Sequence, residues 1–182
     1  MTVITARELV PPEGRDQRSW PLLTLLVGPI DSGKTTFLRR WYQTWRWGDG
    51  VLSAKKFVDS RLIGYDLECL STGESCPWAR VAGEEPGGWQ TWLAVGPFRM
   101  RREGFCFVEK AVDAVLAARQ GPMILDEVGP IELAGEGFAP LLRRLLAGRQ
   151  PTLAVIRESC LSEFLERFPT DAPRIVRLGS AC

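Results

Sequence analysis

A short run near the start of the chain has the residue types and spacing that phosphate binding needs. Gly28 to Thr35 reads Gly-Pro-Ile-Asp-Ser-Gly-Lys-Thr and fits the pattern G-x-x-x-x-G-K-[ST]. The two glycines let the backbone turn tightly, so that successive N–H groups point at one anion. We expect Lys34 to reach the β- and γ-phosphates of a nucleotide, and the Thr35 hydroxyl to hold Mg²⁺. The residues expected to contact the nucleotide are Gly28, Pro29, Ile30, Asp31, Ser32, Gly33, Lys34, Thr35 and Thr36.

A second motif, Met123-Ile-Leu-Asp-Glu-Val128, follows later in the chain. Three apolar residues that end in two carboxylates are typical of a buried parallel strand with acids at its carboxyl end, where ligands of open α/β sheets bind. Asp126 can hold the Mg²⁺ shell, directly or through water. Because side chains alternate along a strand, we expect Glu127 to point elsewhere and to activate a water molecule as the catalytic base.

These motifs need a particular scaffold. An apolar run at residues 22–27 predicts a buried strand before the loop, and residues 34–45 follow as a helix. Strands and helices then alternate again near the end of the chain, which predicts an α/β fold with a mostly parallel sheet flanked by helices. The further elements are predicted as helices at 103–119, 138–146 and 160–168 and strands at 152–156 and 175–178.

The middle of the chain has a different pattern. In residues 48–100, short apolar runs alternate with glycines and prolines, which predicts antiparallel hairpins inserted into the α/β core. We expect this insertion to lie over the carboxyl edge of the sheet and to act as a lid. Residues 1–20 are interpreted as a loose lead-in, and residues 1–182 as one domain.

Composition limits the class of protein. The chain has 182 residues, 45% of them hydrophobic, and a net charge of +1, which suits one globular domain and gives no general attraction to nucleic acid or membranes. No apolar run reaches the ~18 residues that a spanning helix needs. We expect a cytoplasmic monomer that binds neither membrane nor nucleic acid.

Histidine is absent, and the five cysteines form no C-x-x-C pair. Zinc sites normally draw on both residue types, so the cysteines are interpreted as buried free thiols, with Cys69 and Cys76 at most a chance pair. Without histidine, a Ser-His or Cys-His catalytic scheme is excluded. Any general base must be a carboxylate or the substrate itself.

Several stretches resemble one family. They are the loop ending Lys34-Thr-Thr, the run Arg61-Leu-Ile-Gly-Tyr-Asp-Leu, Ala79-Arg-Val and, most specific, Asp126-Glu-Val-Gly-Pro-Ile-Glu-Leu. Together they are similar to the small P-loop nucleoside-triphosphatase family known first from thermophiles, which has a cancer-related human member. The resemblance implies a RecA-like P-loop fold and slow, broad, Mg²⁺-dependent hydrolysis of nucleoside triphosphates such as ATP and GTP. The chain departs from the family in its loop, which has Ile30 and Asp31 where small residues are usual.

Other polar residues are candidates for the same site. Glu132 either helps to hold Mg²⁺ or a water molecule, or is an acid at a helix start that the helix dipole favours. Arg157 follows the strand at 152–156 and either senses phosphate or pairs with Glu158 at the surface. The remaining candidates are arginines that act on the transferring phosphoryl group or form a solvated basic turn, namely Arg99, Arg101 and Arg102.

Two other functions share these motifs. A nucleotide or polynucleotide kinase uses a similar loop but needs an acceptor pocket and a lid with arginines. A nucleotide-gated adaptor, similar to accessory proteins of molybdenum-cofactor assembly, would show negligible turnover and an exposed apolar surface. The leading hypothesis is a hydrolase in which Lys34 stabilises the phosphates and Glu127 activates water.

Overall fold

The computed structural model describes residues 1–178. The strands are β1 (Thr2–Thr5), β2 (Leu23–Gly28), β3 (Asp49–Val58), β4 (Arg61–Cys69), β5 (Ser75–Val81), β6 (Leu93–Val95), β7 (Phe98–Met100), β8 (Met123–Val128), β9 (Thr152–Arg157) and β10 (Arg174–Arg177). The helices are α1 (Lys34–Trp45), α2 (Arg102–Ala118), α3 (Pro130–Leu133), α4 (Ala139–Ala147) and α5 (Leu161–Arg167). All ten strands form one sheet in the order β1-β10-β2-β9-β8-β3-β4-β5-β7-β6.

The first six strands of that order pair in parallel. β2 is buried along its whole length, as a strand covered by helices on both faces must be. The predicted parallel α/β sheet is therefore confirmed. Its strands and helices lie within about two residues of their expected bounds, and α3 is an additional short helix that the sequence did not suggest.

Helices cover both faces of the parallel strands. On one face, α1 buries Leu38 and Trp41 in a cluster with Trp20 and Trp47. The ring centroids of Trp20 and Trp47 lie 4.9 Å apart. On the other face, α2, α4 and α5 bury a larger cluster that includes Val112, Leu142 and Phe164. The two clusters fix β2 and β8 between layers that cannot shift independently, which gives the site at their carboxyl ends a rigid base.

The middle of the chain forms antiparallel strands, as predicted. β3 pairs in parallel with β8 and antiparallel with β4, so β4, β5, β7 and β6 extend the sheet sideways. The β3–β4 turn consists of Asp59 and Ser60, both with positive φ, which matches the right-handed twist of a two-residue hairpin. The hairpins are a wing of the sheet.

The first twenty residues also differ from the loose lead-in that we expected. β1 pairs in parallel with β10 at the edge of the sheet. Leu9 and Trp20 are buried, and the Trp41 indole N–H donates a hydrogen bond of 2.7 Å to the Leu9 carbonyl oxygen. This segment is ordered because β1 pairs with β10, which lies far away in the sequence. The four residues of β1 give too little local pattern for the sequence alone to reveal this pairing.

Two expectations about the chain as a whole can be compared with the structure. Within residues 1–178, no helix combines the length and apolar character that crossing a membrane requires. Cys69, Cys76 and Cys106 are free and half-buried, and Cys160 is free and buried. The chance Cys69–Cys76 pair is therefore not formed, and three of these thiols are less buried than predicted; Cys182 lies outside the described residues.

Candidate active site

The phosphate loop connects the buried strand β2 to the first residue of α1. Gly33 has φ of 84° and immediately precedes the helix, a left-handed conformation that glycine adopts without steric cost. A Cβ atom at Gly28 would lie 2.8 Å from the Ser32 Oγ atom, so a larger residue there would require the Ser32 side chain to rotate. The left-handed Gly33 lets the loop curl over the helix N-terminus, where N–H groups and the helix dipole favour an anion.

Lys34 points into this loop. Its Nζ atom donates a hydrogen bond of 3.0 Å to the Gly28 carbonyl oxygen and another to the Pro29 carbonyl oxygen, with Ser32 Oγ at 3.4 Å. Burial lowers the pKa of the Lys34 ammonium, whereas the nearby Asp126 and Glu127 carboxylates raise it. The ammonium thus lies inside the concavity that the loop backbone forms, where it can serve a bound phosphate.

Thr35 and Asp126, far apart in sequence, meet beneath the loop. The Thr35 hydroxyl donates to Asp126 Oδ2 at 2.6 Å, and the Ser53 N–H donates to the same oxygen at 3.2 Å. Asp126 is only 4% exposed, and among the described residues its second oxygen, Oδ1, is buried without a hydrogen-bond partner. A buried carboxylate oxygen without a partner is costly.

Burial also controls the charge of Asp126. Desolvation raises the pKa of this carboxyl to about 6, although the hydrogen bonds from Thr35 and Ser53 oppose the shift. A hard divalent cation prefers oxygen ligands. The Thr35 hydroxyl and the free Asp126 carboxylate oxygen are ligands of this kind, and water molecules could complete the set. These residues therefore fit the Mg²⁺ that the sequence motif implies.

The direction of the Glu127 side chain is set by a distortion of β8 and not by the regular alternation of side chains along a strand. The pairing of β8 with β9 shifts register between Leu125 and Val128, and Glu127 has φ of 64°. A left-handed conformation at a non-glycine residue costs about 1 kcal/mol or more and is concentrated at functional sites. The bulge leaves Asp126 buried and turns the neighbouring Glu127 into solvent-accessible space.

The surroundings of Glu127 suit proton transfer. Desolvation by the walls of the site raises the pKa of the Glu127 carboxyl, while Arg157 and the Ser53 side chain lower it. A carboxylate with a raised pKa is a better proton acceptor than an ordinary surface glutamate. Glu127 and Asp126 thus have different environments, one open to a water molecule and the other closed around an oxygen-ligand site.

The structure separates the remaining candidates. Arg157 lines the site with the loop, and Glu158 pairs with Arg177 instead of with Arg157. Glu132 is 3% exposed and accepts hydrogen bonds from the N–H groups of Gly129 and Phe138, so of its two readings the structure favours the helix-start acid.

The three arginines near β7 lie elsewhere. Arg99 donates to the Gly96 and Phe98 carbonyl oxygens. Arg101 pairs with Glu103 and lies 5.2 Å from the Trp89 ring centroid, and Arg102 lines a separate surface groove with Cys106 and Lys110. These contacts favour the structural alternative over an arginine that acts on the phosphoryl group.

Comparisons with known proteins agree with this geometry. A family described as NTPase matches residues 24–178, which is most of the chain and includes both motifs. This chain belongs to the NTPase family. It is 29% identical over 154 residues to nucleoside-triphosphatase THEP1 of Thermococcus kodakarensis, with 81% of this chain and 80% of that protein covered.

Two solved structures share the fold of this NTPase. The solution structure of a human cancer-related nucleoside triphosphatase has a TM-score of 0.61 at 24% identity, covering 85% of this chain and 87% of that one. The crystal structure of THEP1 from the hyperthermophile Aquifex aeolicus has a TM-score of 0.60 at 18% identity, covering 86% and 90%. The resemblance to this family, noted from the sequence, is thereby confirmed, as is the P-loop fold.

Sequence reasoning missed three residues of the NTPase site: Ser53 and Lys55 on β3, and Tyr65 on the hairpin wing. Ser53 belongs to the strand that pairs with β8, and its N–H reaches Asp126. Lys55 forms an ion pair with Asp31 of the loop, and desolvation raises the pKa of Tyr65, with the Glu127 charge adding to the shift. No motif marks Ser53 or Lys55, because their positions depend on the β3–β8 pairing. Tyr65 lies in the family-like run at residues 61–67, but nothing in the sequence indicated that its side chain lines the site.

A cavity of about 640 Å³ joins these parts of the NTPase. Its lining includes the phosphate loop, Asp126, Glu127 and further charged side chains such as Arg157, together with apolar and aromatic side chains. The aromatic pairs in this lining are Trp78 stacked on Phe138 with centroids 5.2 Å apart, and Tyr65 edge-on to Phe98 at 5.4 Å. A concave site with a few convergent polar groups and apolar walls is typical of small-molecule binding.

Proposed function

We propose that this NTPase hydrolyses nucleoside 5'-triphosphates, ATP and GTP among them, to diphosphate and phosphate with Mg²⁺. One observation carries the proposal: the Thr35 hydroxyl and the buried Asp126 carboxylate meet at 2.6 Å directly below the phosphate loop. Family membership and the name of the Thermococcus relative support the reaction class.

In this proposal the phosphate loop binds the triphosphate. Its N–H groups and the start of α1 would hold the β- and γ-phosphates, and Lys34 would move its ammonium from the carbonyl oxygens of Gly28 and Pro29 to phosphate oxygens. Thr35 and Asp126 would hold Mg²⁺, which, when bound, neutralises charge on the β- and γ-oxygens. Arg157, at the end of β9, adds a further positive charge on the γ-phosphate side.

Hydrolysis then needs an oriented nucleophile. Glu127 would accept a proton from water as the water oxygen attacks the γ-phosphorus, and the bond to the bridging β–γ oxygen breaks in line. The bulge in β8 presents this carboxylate. Most of the rate enhancement in such reactions comes from positioning and from charge stabilisation. A rigid β2–β8 base therefore suits the task.

The test is phosphate release from ATP, GTP, CTP and UTP, each with Mg²⁺ and with EDTA. We expect release from all four with Mg²⁺ and almost none with EDTA, since the cavity walls offer apolar and aromatic surface rather than a base-specific set of polar groups. Asp126→Asn should raise the Mg²⁺ concentration needed for activity. The matched control is Asp113→Asn, an exposed acid on α2 paired with Arg144; equal effects of the two changes would contradict the metal role of Asp126.

The aromatic walls favour one alternative, transfer to an organic acceptor. Glu127 lines the same cavity of about 640 Å³ as Tyr65, Phe98 and Ile131, and this cavity is larger than a single water molecule needs. A kinase would form the bond from an acceptor hydroxyl oxygen to the γ-phosphorus while the bond to the bridging β–γ oxygen breaks and the nucleoside diphosphate leaves; the hydroxyl proton would pass to Glu127. With nucleosides or nucleoside monophosphates added as acceptors, a kinase would then form more ADP from ATP than free phosphate. Negligible turnover under all conditions would favour the adaptor function instead.

A further inference from the structure

An ion pair links the tip of the phosphate loop to strand β3 of the sheet. Asp31, in the loop, bonds through Oδ1 to the Lys55 ammonium on β3. Asp31 has φ of 61°, and its side chain is 66% exposed against 39% for that of Lys55. Exposed pairs of this kind contribute little to folding stability, so the reason for the pair has to be sought in the site that it borders.

An acid is unfavourable where Asp31 stands. The loop binds a polyanion, and a carboxylate at its tip repels phosphate oxygens unless a cation neutralises it. Lys55 supplies that cation: the hydrogen bond and charge of Lys55 lower the pKa of Asp31, so that the carboxylate is ionised and paired. Removal of Lys55 would leave the Asp31 carboxylate at the entrance without its ion-pair partner.

Lys55 is also placed to contact the nucleotide itself. Ser53 and Lys55 are two residues apart on β3, within a regularly paired stretch, so their side chains lie on the same face of the strand. Ser53 reaches the Asp126–Glu127 end of the site, and the Glu127 charge acts on Lys55 as well. Lys55 is therefore beside the end of the site where the γ-phosphate would lie.

We propose that Lys55 is a second phosphate-binding cation, which Asp31 holds at the mouth of the site and which shifts to the γ-phosphate when a triphosphate binds. The inference rests on the proposed function of this site. A lysine suits such an exchange, because its ammonium sits on a flexible four-carbon stem and can change partners without movement of the backbone. Asp31 then sets how readily the cation is released.

A double-mutant cycle separates this role from simple neutralisation of Asp31. The variants are Lys55→Met, Asp31→Asn and the two combined, with Lys56→Met as the matched control, an exposed lysine at the next position of the same strand. Binding of ADP and of a non-hydrolysable ATP analogue is measured with Mg²⁺ by calorimetry, and kcat/KM is measured for ATP. Lys56→Met should behave as the wild type.

In the Asp31→Asn background, Lys55→Met should weaken binding of the ATP analogue about tenfold, which corresponds to one charge-assisted hydrogen bond. ADP binding in the same pair should change less than about twofold, because the lost contact is to the γ-phosphate. Asp31→Asn alone should bind the analogue at least as tightly as the wild type. In the wild-type background Lys55→Met should cost more than tenfold, since it also exposes the Asp31 charge.

Two results would overturn the inference. One is a Lys55→Met change without effect in the Asp31→Asn background, which would make Lys55 a partner of Asp31 alone. The other is an equal loss for ADP and the ATP analogue, which would place Lys55 away from the γ-phosphate. Failure of the proposed function looks different: the wild type would release no phosphate, while the binding measurements would still decide the role of Lys55. A wild type that binds neither nucleotide contradicts both.

Discussion

The parallel half of the sheet and the hairpin wing contribute to the site in different ways. The buried parallel strands β2, β8 and β9 lead into the phosphate loop with Lys34 and carry Asp126, Glu127 and Arg157. The wing strands β4 to β7 are half-exposed and supply aromatic walls of the cavity. Reaction chemistry is thus built on the rigid half, and the shape of the cavity on the half with fewer covering elements.

β3 is the strand where the two halves meet. It pairs in parallel with β8 and antiparallel with β4, and its Ser53 N–H bonds Asp126 while its Lys55 bonds Asp31. Changes in the parallel half should therefore abolish chemistry with little effect on the wing. Changes in ligand state should be felt mainly in the wing.

The largest effect is expected for Lys34→Ala. The change removes the ammonium that serves the β- and γ-phosphates, and we expect kcat/KM for ATP to fall about 1,000-fold, with weaker nucleotide binding. The fold should survive, since the Lys34 Nζ atom bonds oxygens of its own loop. Lys110→Ala, at an exposed position of α2, is the control. Wild-type turnover in Lys34→Ala would show that the loop does not carry the chemistry.

Glu127→Gln tests the base. The amide keeps the shape of the side chain but cannot take a proton, so kcat should fall about 100-fold while affinity for nucleotide and Mg²⁺ is retained. Asp126→Asn should behave in the opposite way and weaken Mg²⁺-dependent binding. Both variants are compared by calorimetry and by phosphate release. Unchanged hydrolysis in Glu127→Gln would leave the water without a protein base and favour the kinase or adaptor hypotheses.

The raised pKa of Asp126 predicts how stability depends on pH. Because the folded-state pKa of about 6 lies above the ordinary value of 3.8, the folded protein keeps a proton that the unfolded chain has already released. The free energy of unfolding therefore falls as the pH rises from about 4 to about 6. Asp126→Asn removes this dependence and should gain about 2–3 kcal/mol relative to the wild type between pH 4 and pH 7.5.

The measurement for Asp126 is urea unfolding of both proteins at several pH values with EDTA present. EDTA removes divalent ions, so that the pH dependence of the unfolding free energy reflects the titration of the metal-free Asp126 carboxyl. Two stability profiles that run parallel from pH 4 to pH 7.5 would mean that Asp126 titrates in the folded protein as an ordinary aspartate does.

The smallest effect is expected in the wing when nucleotide binds. The sequence predicted a lid at residues 48–100, and nucleotide binding tests that prediction. Because the paired strands β3 to β5 are continuous with the core sheet, we expect amide hydrogen exchange to slow mainly in the loops at 82–92 and 95–97. Equal protection of both loops with and without an ATP analogue would contradict this, as would slowing confined to β2 and β9.

The sequence was most informative where function requires fixed residues in local order. The loop and the Asp126–Glu127 motif were located from spacing and from the apolar strands before them, and α1 begins and ends where it was predicted. In these stretches the signal is local, because strand, turn and helix follow one another along the chain.

The rest of the site depended on long-range pairing. Ser53, Lys55 and Tyr65 reach the site because β3 lies beside β8, a neighbour that no local pattern specifies. The bulge at Glu127 likewise reflects a register shift against β9, and simple alternation gave no hint of it. Glu132 was ambiguous in the sequence because capping a turn and holding a metal use the same carboxylate.

The position of β10 has a consequence for the order in which the protein is made. The phosphate-loop strand β2 lies between β9 and β10, and the Leu178 N–H donates to the Val27 carbonyl oxygen at 2.9 Å, immediately before the loop. The ribosome synthesises β2 early and both of its neighbours late, so during translation the nascent chain carries an apolar strand with two unpaired edges. The base of the phosphate loop is completed only after β10 has emerged from the exit tunnel, and until then both edges of β2 are open to nonnative pairing.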